Sequence, residues 1–242
     1  MTFQPVIARE LRVAARRKST RRIRLWTTVA AILVVGGFLL VGPVFRGPGV
    51  GGLLFQIITG YAFGLCALAG VFVTSDCLSE EKRAGTLGLL ILTDLTPHDI
   101  VLGKFAARLL NPFLALLAIL PVISLSLLLG GVTPGEFWRV TLTLLNTLFL
   151  SSAIGIGVSA WSRDAQRAAG ATLGVVVLLC VLLPLAQLFA GKYLGTSLLV
   201  TANLFGPFFT YRSAMDAAYA VEPYWFWGSL CTVHVTGCSW QH

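Results

Sequence analysis

Residues 168–190 read AAGATLGVVVLLCVLLPLAQLFA, twenty-three positions without a single Asp, Glu, Lys or Arg. A helix rises about 1.5 Å per residue, so a run of this length reaches across a hydrocarbon core about 30 Å thick. Five more apolar segments stand at about 25–45, 52–75, 105–130, 137–161 and 224–242, all but the last of comparable length. The runs are continuous and do not alternate, which argues for helices and against a β-barrel. Only 12% of the chain is charged and 56% is hydrophobic. A water-soluble domain carries about a quarter charged residues. The expected fold class is therefore all-α: a polytopic helical membrane protein with six transmembrane helices, one domain over residues 1–242.

The formal charge of +8 does not point to nucleic acid, because of where the charge lies. Eight of the eighteen Lys and Arg fall in the first 24 residues, directly before the first apolar run. A basic cluster beside a span is a topology signal facing anionic lipid. The run behind it is too long for a signal-peptide core and has no small-residue cleavage site after it. With the N-terminus in the cytoplasm, fourteen Lys and Arg lie inside and only Arg46, Arg139, Lys192 and Arg212 lie outside. That bias predicts a multi-pass cell (inner) membrane protein with a cytoplasmic N-terminus.

Within the cytoplasmic segment 1–24, Phe3, Ile7, Leu11 and Ala14 recur at helical spacing, and Arg9, Arg12 and Arg16 recur on another face. This predicts an amphipathic helix lying in the membrane interface, its apolar stripe in lipid and its arginines at headgroups. At the other end, the extracytoplasmic region 191–223 is apolar but broken at Gly206-Pro207, so neither half can span. Short helices dipping into the outer leaflet fit both features. The last segment turns polar at Thr236-Gly-Cys-Ser-Trp-Gln-His, which predicts a sixth helix that is short or truncated.

The least lipid-like stretch in the middle of the chain is SEEKRAGTLGLLILTDLTPHDIVLGKF, residues 79–105. Ser79 suits an N-cap, with Glu80 and Glu81 in the first turn where negative charge favours the helix dipole. Gly85 and Gly88 let another surface approach the backbone. Thr96 and Pro97 mark a second helix start, with Asp99 as a capping-box acid, and that helix is expected to run through Lys104 into the third span. The expected cytoplasmic excursion, 76–104, thus holds one short helix at about 79–92 and a return.

These residues carry a resemblance. Ser79-Glu-Glu-Lys-Arg-Ala-Gly-Thr-Leu-Gly-Leu-Leu, followed by Thr93-Asp-Leu-Thr-Pro-His-Asp-Ile-Val-Leu-Gly-Lys, resembles the signature of permeases of type-2 ABC transporters. Pro5-Val-Ile-Ala-Arg-Glu-Leu-Arg resembles that family's amphipathic entry helix. The resemblance implies an exporter-class permease with six spans per subunit, working as a homo- or heterodimer. It implies that the 79–92 segment is a coupling helix docking on an ATP-binding cassette subunit, with re-entrant helices between spans five and six. On that basis Glu80, Glu81, Lys82 and Arg83 would make charged contacts with the ATPase. Ser79 would cap the helix, Gly85 would permit close packing, and Thr86 and Leu87 would fill a groove.

No Gly-x-x-x-x-Gly-Lys-Ser/Thr loop occurs in the chain, so there is no phosphate cradle of that kind for ATP. The chain is expected to bind no cofactor or metal itself and to catalyse no reaction; ATP and Mg belong on the partner. Segments one, two and five lack ionisable groups in their interiors, which argues against ion coupling. Arg108 and Arg139 sit near span ends, where they can snorkel. Thr143, Thr147 and Ser151 recur at four-residue spacing, with Asn146 beside them. They line a pathway or hydrogen-bond between helices, and the second is favoured. Gly60–Gly64 and Gly170–Gly174 have the spacing of small-residue helix contacts. Pro112, Pro121 and Pro184 are expected to bend spans three and five. The alternative function is a non-transporting membrane scaffold or assembly factor that recruits a cytoplasmic partner through the 79–92 helix.

Overall fold

The structure is a computed structural model that describes residues 50–74, 97–162, 165–186 and 206–239, with isolated helical positions at 29, 32, 33, 36 and 37. The expected interface helix at 1–24, most of the first span, the 79–92 helix and residues 187–205 lie outside the described residues.

Every regular element described is helical. They are α1 (Val50–Thr74), α2 (Pro97–Leu128), α3 (Pro134–Trp161), α4 (Ala165–Val177), a π-turn (Leu178–Leu182), α5 (Pro207–Ser213), α6 (Asp216–Tyr219) and α7 (Pro223–Ser239). Among the described residues, three stretches are long and apolar enough to cross a membrane: Gly51–Val71, Pro134–Ser159 and Gln166–Ala186, with a shorter apolar stretch at Pro112–Leu128. α2 starts at Pro97 and continues without interruption for 32 residues, about 48 Å. It thereby joins the expected helix start at Thr96-Pro97 to the third apolar segment. Pro112 and Pro121 lie inside α2 without ending it. At Pro184 the outcome is different. The missing N–H is preceded by the π-turn, closed by the Leu183 N–H donating to Leu178 O.

The bundle has two ends. Residues 75–96 connect α1 to α2 at one, called proximal here; the α2–α3 turn lies at the other, the distal end. That turn passes through Gly130 (φ +80°) and Gly131 (φ +87°), a left-handed pair that a side chain would strain. Thr133 then caps α3, its Oγ1 accepting from the Glu136 N–H at 3.1 Å, and Pro134 occupies the first turn.

α1 packs against both α2 and α3. Leu54, Ile58, Ala62 and Cys66 recur every fourth residue on α1, and Val140, Leu144 and Leu148 do the same on α3; all are buried. Four-residue ridges of this kind interdigitate. Phe55, Ile119, Ile123 and Phe226 close the same core. The outside is equally apolar: Leu53, Leu125, Leu142, Leu173, Val181 and Leu182 are exposed. In a bilayer such side chains face a solvent as apolar as themselves. Trp138 and Trp161, both exposed, stand at opposite ends of α3, about 35 Å apart along its axis. That is the separation expected of the two aromatic belts of a membrane.

Candidate functional site

Two polar constellations interrupt this apolar body. The first lies deep between helices. Ser151 on α3 reaches into the backbone of α1, where its Oγ donates to Ala67 O at 2.5 Å and accepts from the Gly70 N–H at 3.1 Å. Only glycine at position 70 allows this, because a Cβ there would overlap both the Ser151 hydroxyl and its carbonyl. Ser151 also lines a small cleft of about 10 Å³ with Ala67, Thr147, Val176, Cys180 and Pro207. That space takes one water and no cargo.

The cleft shows where α5 sits. Ala67 and Ser151 are each seventeen residues into their helices, about 25 Å from the distal end. Pro207, the first residue of α5, is at their level. α5 therefore starts at the Gly206-Pro207 break inside the bundle and climbs toward the distal end. Along the way Phe63 meets Tyr211 with ring centroids 5.0 Å apart. The Tyr211 hydroxyl lies 2.8 Å from Thr59 Oγ1. Thr59 donates its own proton to Phe55 O at 2.6 Å, so Tyr211 is the donor of the pair. Tyr211→Phe removes that bond and keeps the ring contact. It should cost about 0.6 kcal/mol, the average for such bonds in membranes. Thermal unfolding in nanodiscs should show a small decrease for Tyr211→Phe and a clearly larger one for Tyr211→Ala.

The second constellation closes the distal end. Thr133 Oγ1, already the cap of α3, donates to Asp216 Oδ2 at 2.6 Å. Glu136 accepts the Asp216 N–H at 3.2 Å. Arg139 Nε donates to Ala214 O at 3.0 Å, and its guanidinium pairs with Asp216. The same guanidinium lies 4.0 Å over the Tyr219 ring. Arg139 is only 14% exposed. The expectation that it snorkels to the headgroups is thus corrected: a carboxylate, a carbonyl and an aromatic face draw it inward onto the 214–219 reversal.

The stripe on α3 divides. Thr143, Asn146, Thr147 and Ser151 are all buried. Thr143 and Thr147 donate to carbonyls one turn back on α3, Arg139 O at 3.0 Å and Thr143 O at 2.8 Å. Of the four, Ser151 is the one that hydrogen-bonds to another helix among the described residues. Among the glycines, Gly64, Gly170 and Gly174 have open space where a Cβ would stand, and Gly60 faces the Tyr211 hydroxyl. The close helix approaches fall at Gly70 and at Gly51, which abuts the Gly130 carbonyl. Glu136, Asp216 and Tyr219 were not singled out by their sequence context. The available signal was Asp216, one of two acids in residues 191–223 with Glu222, and a Glu136–Arg139 pair in an otherwise apolar segment.

The chain matches the family model described as ABC-2 family transporter protein over residues 8–232. It belongs to the ABC-2 transporter family. It is also similar to the "Probable ABC transporter permease protein NosY" of Pseudomonas aeruginosa, 30% identical over 182 residues. That alignment covers 67% of this chain and 64% of the relative, just under two thirds of the relative's length. The apolar helices of this ABC-2 protein accord with a multi-pass membrane protein. Its Ser79, Glu80, Glu81, Lys82, Arg83, Gly85, Thr86 and Leu87 lie outside the described residues, as do Phe3, Ile7, Arg9, Leu11, Arg12 and Arg16.

Proposed function

We propose that this chain is the membrane-spanning permease subunit of an ATP-driven exporter. The observation that carries this is the ABC-2 family match across residues 8–232, the region that also holds the Glu80-Glu81-Lys-Arg-x-Gly-Thr-Leu motif. Six spans with a cytoplasmic N-terminus place that motif in the cytosol, and the amphipathic 1–24 helix lies along the same leaflet. The 79–92 helix docks on a separate ATP-binding cassette subunit, which binds ATP and Mg and hydrolyses the nucleotide. Two permease subunits, identical or related, complete the transporter. A pathway between subunits agrees with the tightness of the described helices, whose cleft at Ser151 is about 10 Å³.

The mechanism requires a difference in binding. The ATPase shifts the permease between two forms only as far as it binds one form better than the other. Charged contacts at Glu80–Arg83 and a close approach at Gly85 provide groups through which that preference acts.

Purification from native membranes tests the proposal. A Walker-motif ATPase should accompany the chain, and its hydrolysis should change when the permease is present. Recovery of a different cytoplasmic protein, with no ATPase, would favour the scaffold alternative. Orientation has a separate check. Single cysteines at Arg46 and Lys192, in a cysteine-free background, should react with an impermeant maleimide added outside. A cysteine at Lys82 should react only after permeabilisation.

A further inference from the structure

We propose that Arg139 is a positioning residue for transport: it fuses the first turns of α3 to the 214–219 reversal, so that α5, α7 and α3 move as one body. The inference rests on the permease proposal above. Its basis is a set of side-chain bonds from α3 to a segment about eighty residues away in the chain. Thr133 caps α3 and donates to Asp216. Glu136, one turn into α3, accepts the first N–H of α6. Arg139 takes the Ala214 carbonyl that follows α5, together with the Asp216 carboxylate and the Tyr219 face. Side chains of α3 thus satisfy two backbone groups that the short helices leave open, the Asp216 N–H and the Ala214 carbonyl.

Such an arrangement is rigid for two reasons. Four groups, from Thr133, Glu136, Ala214 and Tyr219, surround the Arg139–Asp216 pair, so displacing one of them disturbs several bonds at once. The unit is also anchored below by packing, since Ala214 and Phe226 are fully buried in the common core with Val140 and Leu144. By contrast, α4 and its π-turn carry mostly exposed side chains. A force delivered at the proximal end of α3 therefore reaches the distal end through Arg139 and carries the half-spanning α5 with it.

The test uses the complex reconstituted with its co-purified ATPase in liposomes, reading the permease-dependent ATPase rate. Arg139→Gln should lower that rate at least about fivefold while leaving ATPase association intact. The charge swap Arg139→Asp with Asp216→Arg restores the ion pair without the Ala214 and Tyr219 contacts, and should recover only part of it. In a background with the five cysteines replaced, Thr133→Cys with Asp216→Cys should be slow, and bridging the pair with a short bifunctional thiol reagent should restore the rate. An unchanged rate in Arg139→Gln, or a bridge that fails to restore turnover, overturns the proposal. If no ATPase accompanies the chain, the permease proposal fails instead. The clamp is then judged by thermal unfolding of Arg139→Gln, Asp216→Asn and the double variant. Losses smaller in the double variant than the sum of the singles uphold it, and additive losses reject it.

Discussion

Gly70→Ala should abolish most of the folded protein, although it adds one methyl group. A Cβ at position 70 would overlap Ser151 Oγ and the Ser151 carbonyl carbon and oxygen. Two of those atoms are backbone, so no rotamer change relieves the overlap; α1 and α3 must separate. Overpacking of a tight core costs about 1–3 kcal/mol, occasionally more, and an obstacle made of backbone belongs at the upper end. Separation also breaks the two Ser151 hydrogen bonds to Ala67 and Gly70. Each is worth about 0.6 kcal/mol by the membrane average. The total is about 4 kcal/mol, a large part of the 5–15 kcal/mol typical of a folded domain. Two comparisons isolate the cause. Ser151→Ala loses the bonds but causes no overlap, so it should be much milder. Gly64→Ala meets nothing within 4 Å and gains helix propensity, so it should be neutral or stabilising. Size-exclusion profiles and thermal unfolding in detergent provide the readout. A Gly70→Ala protein with wild-type yield and melting temperature would show that α1 and α3 do not pack as described.

Loss of the ATPase is the second large effect, expected on the proposed docking role of residues 79–92. Glu81→Arg reverses a charge in a partly dehydrated contact. Truncating one member of a buried hydrogen-bonded charge pair costs about 2–5 kcal/mol, and reversal adds repulsion. The lower figure already corresponds to about a thirtyfold loss of affinity. Gly85→Trp acts differently, placing a bulky ring where close approach is proposed. Both variants should leave the permease folded, because in the proposed role both residues face the partner subunit. Both should cause the ATP-binding subunit to be lost during purification and its permease-dependent hydrolysis to fall. Lys192→Glu, on the opposite face in the proposed topology, should change neither. Retention of the ATPase by both coupling variants would remove residues 79–92 from the interface.

The membrane helices were legible because the signal that defines a span is local. Whether 52–75, 137–161 or 168–190 prefers lipid is a sum over its own side chains, and α1, α3 and the Gln166–Ala186 stretch lie within a few residues of the expected limits. The same holds for the start of α2 at Pro97 and of α5 at Pro207, where a residue without an N–H suits a first turn. The family, too, was visible in a short motif.

Partner choice inside the bundle was much less legible. Ser151 and Thr147 occupy one stripe and carry similar hydroxyls, yet one bonds across to α1 and the other back to its own helix. The glycine pairs with the familiar spacing were not the ones in tight contact. Arg139 had the position of a snorkelling residue and instead became the centre of a clamp. In each case the deciding atom lies on another element, about eighty residues away.

What the sequence by itself determined is the class: apolar runs long enough to span, a charge bias along the chain, helix starts at Pro97 and Pro207, and membership of a transporter family. Only the tertiary structure decided that Gly70 receives Ser151, that α5 begins halfway through the bundle, and that Arg139 joins α3 to Asp216. The division has a physical cause. Transfer of a segment into lipid is additive over its own residues, whereas packing and hydrogen bonding depend on which surfaces meet, and no single segment carries that information.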